Sequence, residues 1–399
     1  MAGEILLEVG IALTALAVGG ALAVRANQSV IPMYIVAGIL VGPNVPTALG
    51  PIPLTLVENH EFIDVLAELG IVFLLFFLGL EFNIERLVEG WDRLVGIGTA
   101  DFLVNFGVGV ALGFAFGFSA LETMFLAGIV YISSSAVITK SLIERGWIAN
   151  PESEAILGTL VFEDILIAVY LAVLSAVALG GGGLGEAAVS VGIAFGFLGA
   201  LTLLAFYGTR YVERAFAVDS DELFLLRVLG VTTLVAGGAL ALGVSEAVAA
   251  FFVGTAFSTT DHTHRIERVV GPARDLFAAI FFFSIGLTTD VTVIAGVAVP
   301  LAVAVAVTTL TKIASGTAGG VLYGLNRRRS LRVGVGLVPR GEFSLVIAAL
   351  ATSVGTGALA TTIPAFAVGY VLVMSILGTI LMGYVDSATA YAGDFLPGE

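Results

Sequence analysis

Long apolar segments dominate this sequence of 399 residues. A helix needs ~20 apolar residues to cross a bilayer, and about thirteen segments reach that length. Only 12% of the residues are charged, whereas ~25% is usual in soluble domains. The segments are too long and alternate too weakly for an outer-membrane barrel. The sequence therefore predicts an all-α polytopic membrane protein with spans at 5–24, 29–48, 62–80, 94–118, 121–140, 153–179, 186–211, 222–242, 244–260, 270–289, 291–324, 330–354 and 362–385.

The distribution of charges between loops predicts the orientation in the membrane. If the N-terminus lies outside, the cytoplasmic loops carry most of the arginines, as the positive-inside rule requires. An odd number of spans then places the C-terminus in the cytoplasm, and we expect the protein in the cell (plasma) membrane. The basic residues assigned to the inside are Arg25, Arg86, Arg93, Lys140, Arg145, Arg210, Arg214, Arg265, Arg268, Arg274 and Arg327–Arg329, and the acidic residues assigned to the outside are Glu58, Glu61, Glu122, Glu186 and Asp290.

The overall composition excludes several kinds of site. The chain has no cysteine, so it forms no disulfide and no cysteine-based metal site. It carries no nucleotide, haem or protease signature, and we expect no cofactor and no nucleic-acid partner. The net charge of −14 is unusual for a membrane protein. We favour adaptation to a saline cytoplasm, as in halophiles, and ordinary drift in a GC-rich genome is the alternative.

Segment 153–179 carries two adjacent acids near its middle, Glu163 and Asp164. A charged side chain at the bilayer centre costs about 2.5 kcal/mol or more, so acids at this depth are predicted to line a water-filled route or to bind a cation. Neighbouring residues of a helix point about 100° apart, so one acid can face a cavity while the other faces a helix. Lys312, also at membrane depth, is the natural partner for Glu163. The alternative is that this pair is only a static salt bridge.

Two predicted spans, the fifth and the twelfth, contain signals for a broken helix. In the fifth, the hydroxyls of Ser133, Ser134 and Ser135 compete with the helical backbone. In the twelfth, Pro339 and Gly341 interrupt the hydrogen-bond ladder. Interrupted spans at corresponding positions are typical of inverted-repeat transporters. The offset of seven spans predicts two inverted repeats of six spans around a linker helix.

Each of the remaining candidate site residues allows two interpretations. The three serines either coordinate a small cation beside an unwound backbone or provide small-residue packing. We expect Arg340 and Glu342 to neutralise backbone ends and hold the break together, and a role in opening or pH response is the lesser alternative. Asp101 and Asn105 lie four residues apart on one helix face. They either line an entry funnel or form a hydrogen bond between helices.

Several stretches, taken in order, resemble the monovalent cation:proton antiporters of the Kef, Kht and Nap kind along nearly the whole chain. They read IPMYIVAGILVGPN in the second span, FLLFFLGLEFNIERL in the third, and ELFLLRVLG, SEAVAAFFVGTAFS, AAIFFFSIGL and LVPRGEFSLVIA in later ones. The paired serine-rich and acidic spans, the fifth and sixth, are similar to the family's as well. One such stretch is a modest signal, but the ordered set is specific.

The resemblance implies a core that moves against a dimerising scaffold, with alternating access around two broken, crossing helices. It implies a scaffold at 1–90 and 222–290, an ion-transporting core at 94–179 and 291–385, and a linker helix at 186–211, in a homodimer. Asp164 would be the shared cation and proton site, and Glu163 with Lys312 the ion pair. The serines of the fifth span would flank the ion.

The chain also departs from the family pattern. The sixth span of members carries Asp-Asp, Asn-Asp or Gln-Asp, whereas the pair here is Glu163–Asp164, which leaves the proton stoichiometry open. The nucleotide-binding domain of Kef-type proteins is missing, so we expect either an unregulated exchanger or a separate cytoplasmic regulatory subunit, as in Kht-type systems.

The expected function is exchange of K⁺ or Na⁺ for protons, with K⁺ slightly preferred, and not an enzymatic reaction. The first alternative is a sodium-coupled symporter of an organic anion on the same fold. That reading needs basic groups for the anion, and only Lys312 and Arg340 are available at membrane depth. A sensor or an intramembrane enzyme is a further alternative, and it fits poorly with two adjacent acids on one helix.

Overall fold

The computed structural model describes most of the chain. The described residues are 2–26, 28–44, 47–49, 52–53, 55–57, 61–81, 91–179, 192, 196, 199, 213–241, 246–258 and 260–393. The predicted linker helix at 186–211 lies outside them, apart from three isolated positions. The loop residues Arg86, Arg210, Glu58 and Glu186, which entered the orientation prediction, also lie outside the described residues.

Helices make up nearly all of the described structure. Their bounds are α1 Ala2–Arg25, α2 Val30–Val41, α3 Glu61–Glu81, α4 Trp91–Ala115, α5 Ala120–Tyr131, α6 Ser135–Glu144, α7 Pro151–Leu179, α8 Asp221–Ala241, α9 Glu246–Ser258, α10 Thr263–Val269, α11 Gly271–Thr288, α12 Val291–Gly296, α13 Ala298–Leu322, α14 Arg327–Gly336, α15 Glu342–Val354, α16 Gly357–Ala360 and α17 Thr362–Gly393. Two two-residue strands, β1 Ala48–Leu49 and β2 Ile52–Pro53, form a short antiparallel hairpin.

Eight helical stretches of the described chain are long and apolar enough to cross a membrane. The number is up to nine if α10 and α11, which meet at a bend of 56°, form one span. These stretches confirm the prediction of an α-helical polytopic membrane protein. The count of about thirteen spans stays a prediction.

The chain divides into two compact units. The first comprises Met1–Val18, Tyr34–Glu89 and Ala168–Thr288, and the second comprises Gly19–Met33, Gly90–Ile167 and Thr289–Glu399. The roles expected for such parts, a dimerising scaffold and an ion-transporting core, stay predictions.

In the first unit, glycines bring helix backbones into direct contact. A Cβ on Gly79 of α3 would collide with the carbonyl oxygen of Phe251 in α9, and a Cβ on Gly254 of α9 would collide with that of Phe76 in α3. The contact is therefore reciprocal. Small residues allow this close approach, which membrane helices use because lipid provides no hydrophobic driving force between them.

A second reciprocal contact of the first unit joins α2 and α11. A Cβ on Gly38 would collide with the carbonyl oxygen of Phe283, and a Cβ on Gly286 would collide with that of Ile35. Helix α11 also packs against α3. Phe73 stacks on Phe277 with ring centroids 5.9 Å apart.

In the second unit, two pairs of helices pack closely and each pair leads into a broken helix. Gly109 of α4 lies against Ala127 of α5, and Gly316 of α13 lies against Gly334 of α14. Helix α5 ends at Tyr131 and its path resumes with α6, while α14 ends at Gly336 and its path resumes with α15. The two predicted interruptions are therefore present.

The turn before α12 shows how a loop carboxylate begins a helix. Asp290 caps α12 by accepting hydrogen bonds from the backbone N–H and the hydroxyl of Thr292, at 2.8 and 2.6 Å. These hydrogen bonds hold the pKa of the Asp290 carboxyl below its usual value. The residue lies outside the membrane-spanning helices and serves below as a matched acidic control.

The backbone contact between α3 and α9 predicts the effect of one added methyl group. We expect Gly79→Ala to lower the melting temperature, because overpacking a tight contact costs ~1–3 kcal/mol. Gly237→Ala in α8 is the control, since nothing lies within 4 Å of its would-be Cβ, and its stability should stay equal or rise slightly. The measurement is thermal unfolding of the purified protein in detergent. Equal melting of both variants would contradict the close contact.

Candidate functional site

The two helix breaks meet in the second unit. The backbone N–H of Ser134 donates a hydrogen bond to the carbonyl of Pro339, with a nitrogen–oxygen distance of 2.9 Å. Gly341 lies so close to Ser134 that a Cβ on the glycine would collide with the serine hydroxyl. Proline lacks an N–H and disfavours a continuous helix, which explains the position of the second break. The breaks therefore leave four half-helix ends near one another.

Glu342 caps one of these half-helix ends. Its carboxylate accepts hydrogen bonds from the hydroxyls of Ser134 and Ser135, at 2.6 and 3.0 Å. It also accepts from the backbone N–H of Ala136 at 3.2 Å. The first N–H groups of a helix lack partners inside the helix and carry partial positive charge. A carboxylate contributed by α15 thus stabilises the start of α6.

Arg340 binds the opposite kind of helix end. It is fully buried, and its guanidinium donates to the carbonyl of Val130 in α5, at 3.1 Å, and to those of Leu337 and Val338 after α14, at 2.8 and 2.9 Å. The final carbonyls of a helix carry partial negative charge. The guanidinium also reaches the hydroxyl of Ser133 at 3.3 Å. One cation therefore holds the carbonyl ends of both broken helices.

Lys312 of α13 forms the centre of a buried ionic cluster. Its ammonium lies 2.6 Å from Oε1 of Glu163 in α7 and 2.6 Å from Oδ2 of Asp101 in α4. The exposed fractions of the three side chains are 0%, 0% and 3% for Lys312, Glu163 and Asp101. The aromatic ring of Tyr131 lies 5.0 Å from the same ammonium. Two carboxylates therefore share one ammonium inside the protein.

Each carboxylate of the cluster accepts further hydrogen bonds. Glu163 accepts the backbone N–H of Ser133 at 2.7 Å and its hydroxyl at 3.1 Å. Asp101 accepts the side-chain amide of Asn105 at 2.9 Å and the hydroxyl of Ser315 at 2.7 Å. Buried charges persist only when such partners replace water. The fifth span is thereby tied to the sixth through Glu163.

The structure places the side chains of Asp101 and Asn105 inside the protein and not along an open funnel. Both side chains are buried, and the amide of Asn105 donates to the hydroxyl of Ser315 on another helix at 2.9 Å. This geometry corresponds to the interhelical hydrogen bond rather than to funnel lining. The sequence prediction also paired Lys312 with Glu163 alone and missed Asp101. The available signal was an acid ten residues inside a membrane-length helix.

Asp164 differs from the acids around it in exposure. It is partly exposed, whereas its neighbour Glu163 is fully buried. The difference follows from the ~100° rotation between successive helical residues. Among the residues that the structure describes, no group of three His, Cys, Asp or Glu side chains is arranged to hold a metal ion.

A second buried acid at the start of α7 did not stand out in the sequence. Glu152 is fully buried, and it lies 2.5 Å from Arg332 and 3.4 Å from Arg329, both in α14. The guanidinium of Arg332 also lies over the ring of Trp147, 4.6 Å from its centroid. These contacts tie the acidic helix to the start of the second broken helix.

The family model described as sodium/hydrogen exchanger, transmembrane, matches residues 11–385. The chain belongs to this exchanger family. The resemblance to cation:proton antiporters in the sequence is thereby confirmed. As a member of an exchanger family, the chain is a multi-pass membrane transporter and not an enzyme.

Two relatives from bacteria match nearly end to end. The K(+)/H(+) antiporter subunit KhtU of Bacillus subtilis is 40% identical over 384 residues, covering 95% of this chain and 93% of the relative. The ammonium/H(+) antiporter subunit AmhT of Alkalihalophilus pseudofirmus is 31% identical over 388 residues, covering 96% and 93%.

The fold of this exchanger is also that of a solved antiporter. The sodium proton antiporter MjNhaP1 of Methanocaldococcus jannaschii, in a structure at pH 8, superposes with a TM-score of 0.67 over 97% of both chains, at 16% identity. An electron-microscopy structure of the same protein gives a TM-score of 0.70 over 98% of both chains. At this level of identity the likeness concerns the fold alone.

The shared ammonium predicts a large loss of stability when it is removed. Lys312→Ala leaves two buried carboxylates without their counter-ion, and removing one partner of a buried ion pair costs ~3–5 kcal/mol. The matched control is Lys140→Ala, the other lysine of the chain, which is partly exposed and donates to the carbonyl of Gln28 at 3.2 Å. We expect a loss of ~1 kcal/mol there. Thermal unfolding in detergent measures both variants, and wild-type melting of Lys312→Ala would contradict the assignment.

Proposed function

We propose that this protein exchanges a monovalent cation, K⁺ or Na⁺, for protons, with Asp164 as the shared carrier. The observation that carries the proposal is the difference in exposure within the ionic centre. Glu163, Asp101 and Glu342 are at most 4% exposed, and each accepts a hydrogen bond from a buried group. Asp164 is the partly exposed acid of the four. It is the carboxylate best placed to meet an ion arriving from water.

The proposed mechanism is competition at one carboxylate. The ionised Asp164 binds the cation, and a proton on the same group expels it, so the two never occupy the site together. The hydroxyls of Ser133, Ser134 and Ser135 donate to Glu163 and Glu342. The Ser133 and Ser134 oxygens also accept one hydrogen bond each, from Arg340 and from the N–H of Val137, which leaves one further lone pair on each to flank the ion. Arg340 and Glu342 hold the surrounding backbone ends in place. Alternating access then exposes this centre to each side of the membrane in turn.

Helix packing supports two inverted repeats around a linker helix, within about thirteen spans. The reciprocal contact of α2 with α11 joins predicted spans two and ten, and that of α3 with α9 joins spans three and nine. Seven spans after span two comes span nine, and seven spans before span ten comes span three. The offset of seven therefore converts the first pair into the second. The pairs α4–α5 and α13–α14 are related by the same offset. Such a relation is expected of a repeat that inserts with opposite polarity.

The relatives and the charges favour a cation over an organic anion as substrate. Lys312 is shared by two carboxylates and Arg340 is occupied by backbone carbonyls, so neither offers a binding site to an anion. This disfavours the sodium-coupled symporter. We prefer K⁺, because the relative that is 40% identical is named a K(+)/H(+) antiporter subunit. Both bacterial relatives are named as subunits, which supports a separate partner chain. We propose that this partner is a cytoplasmic regulatory subunit and that the exchanger is a homodimer in the plasma membrane.

The decisive experiment is exchange in proteoliposomes. We expect K⁺ or Na⁺ to dissipate an imposed proton gradient, measured by dequenching of a pH-sensitive dye, with K⁺, Na⁺ and Li⁺ compared side by side. Asp164→Asn should abolish exchange, because a neutral amide cannot alternate between a proton and a cation. Asp290→Asn, which changes a partly exposed capping acid outside the membrane-spanning helices, is the control and should exchange normally. If no cation dissipates the gradient, or if Asp164→Asn exchanges normally, the proposal is wrong.

The proposed orientation is testable because the chain has no cysteine of its own. We place Asp261, between α9 and α10, in the cytoplasm and Thr356, between α15 and α16, outside, and both residues are exposed. In right-side-out vesicles, an impermeant maleimide should label Thr356→Cys and spare Asp261→Cys until the vesicles are opened. The opposite labelling would invert the topology.

A further inference from the structure

The buried cluster around Lys312 holds more acid than one ammonium can neutralise. Glu163 and Asp101 each lie 2.6 Å from its nitrogen. The other titratable or charged groups that face the cluster are Tyr131, whose ring lies against the ammonium, Asp164, next to Glu163 on α7, and Arg340, which reaches the Ser133 hydroxyl. Tyr370 of α17 is bonded to Thr308, one turn from Lys312 along α13. An excess buried negative charge is costly, and a proton on one carboxylate removes it.

The hydrogen-bond partners of Glu163 and those of Asp101 differ in chemical type. Glu163 accepts the backbone N–H of Ser133, a group that can only donate. This partner requires that at least one oxygen of Glu163 stays an acceptor. Asp101 is bonded instead to the Asn105 amide and the Ser315 hydroxyl. The hydroxyl of Ser315 can rotate between donating and accepting, so it can serve either an ionised or a protonated carboxyl.

An unsatisfied atom lies beside Asp101. The side-chain oxygen of Asn105 is buried and has no hydrogen-bond partner. Buried polar atoms are nearly always hydrogen-bonded, so an exception needs an explanation. Turning the amide would not remove the exception, because the Asn105 nitrogen now donates to Asp101 and Ser315 and would lose these acceptors. A proton on Asp101 has another acceptor, since the Ser315 hydroxyl can rotate to the carbonyl of Lys312, 3.2 Å away, and its oxygen can then accept the acid hydrogen.

Asp101 also has contact with a space that a water molecule can enter. A cavity of about 10 Å³, room for about one water molecule, is lined by nine residues, of which Asp101, Thr159 and Ser315 are polar and the others are apolar or glycine. Glu163 is not among the residues that line it. A proton can therefore reach Asp101 from this cavity without displacing Lys312 from Glu163.

We propose that Asp101 is a second proton-holding residue of the exchange cycle, and that Lys312 stays paired with Glu163 while Asp101 gains or loses its proton. The proton passes from water in the cavity to the Asp101 carboxylate and returns by the same route. The acid group then donates its hydrogen to the oxygen of Ser315, whose hydroxyl has rotated to the carbonyl of Lys312. This inference rests on the proposed exchange of cations for protons, since it adds a second titrating group beside Asp164.

Two measurements test the proposal. In proteoliposomes, Asp101→Asn mimics a permanently neutral group. We expect this variant to exchange cations for protons, with the pH of half-maximal exchange shifted by about one unit or with a shallower dependence of exchange on pH. Ser315→Ala removes a donor to the ionised carboxylate and should move the midpoint by about half a unit toward alkaline pH. Asp290→Asn should keep the wild-type pH profile.

The second measurement is infrared difference spectroscopy of purified protein during a pH titration, in which a carboxylic acid band of the wild type should be absent from Asp101→Asn.

The results separate this proposal from the exchange function itself. Thermal unfolding checks that Asp101→Asn is folded, which we expect because Lys312 keeps Glu163 as its partner. If the infrared band and the pH profile are unchanged in folded Asp101→Asn, the residue is only structural and the proposal is wrong. If Asp101→Asn does not fold, an unchanged profile and an unchanged band in Ser315→Ala overturn the proposal. If the wild type transports no cation, the exchange function fails, while the infrared titration still decides whether Asp101 holds a proton.

Discussion

The ammonium of Lys312, held between two buried carboxylates, is the interaction on which the centre depends. It joins three helices, α4, α7 and α13, through charges that have almost no contact with water. Such an arrangement is stable only with all partners present, because an uncompensated charge in a low-dielectric interior is far more costly than the pair itself is favourable. Its neighbour Asp164, one position further along the same helix, is partly exposed.

The broken helices impose the second constraint. Unwinding inside a membrane protein exposes backbone groups that lipid cannot satisfy, and protein groups must replace the missing hydrogen bonds. Arg340 supplies donors to the carbonyl ends and Glu342 supplies acceptors to an N–H end. Each charged residue thus sits at the half-helix end of opposite partial charge. The two residues are adjacent to the break in sequence, yet they act on backbone from both broken helices.

Parts of this arrangement were predictable from individual residues. Acids and lysines are rare at membrane depth because burying an unpaired charge costs free energy, so the pairing of Lys312 with Glu163 was predictable. The two helix breaks were predictable from the three serines and from Pro339. Asp101 was not predicted as a partner of Lys312. A single acid within a long apolar helix gives no indication of which helix it faces, and the second bond of the ammonium depends on how α4 packs against α13. The interruption at Ser133 likewise did not reveal that the serine hydroxyls bind carboxylates.

The sequence by itself determined that this chain crosses the membrane many times, where two spans break, and which charges lie at depth. These are local properties, because the bilayer acts on each segment separately through its length and its polarity. Only the tertiary structure decided which charges meet. A buried ion pair is defined by distances of a few ångströms between residues 149 and 211 positions apart, and those distances arise from glycine-mediated helix packing that no single segment encodes.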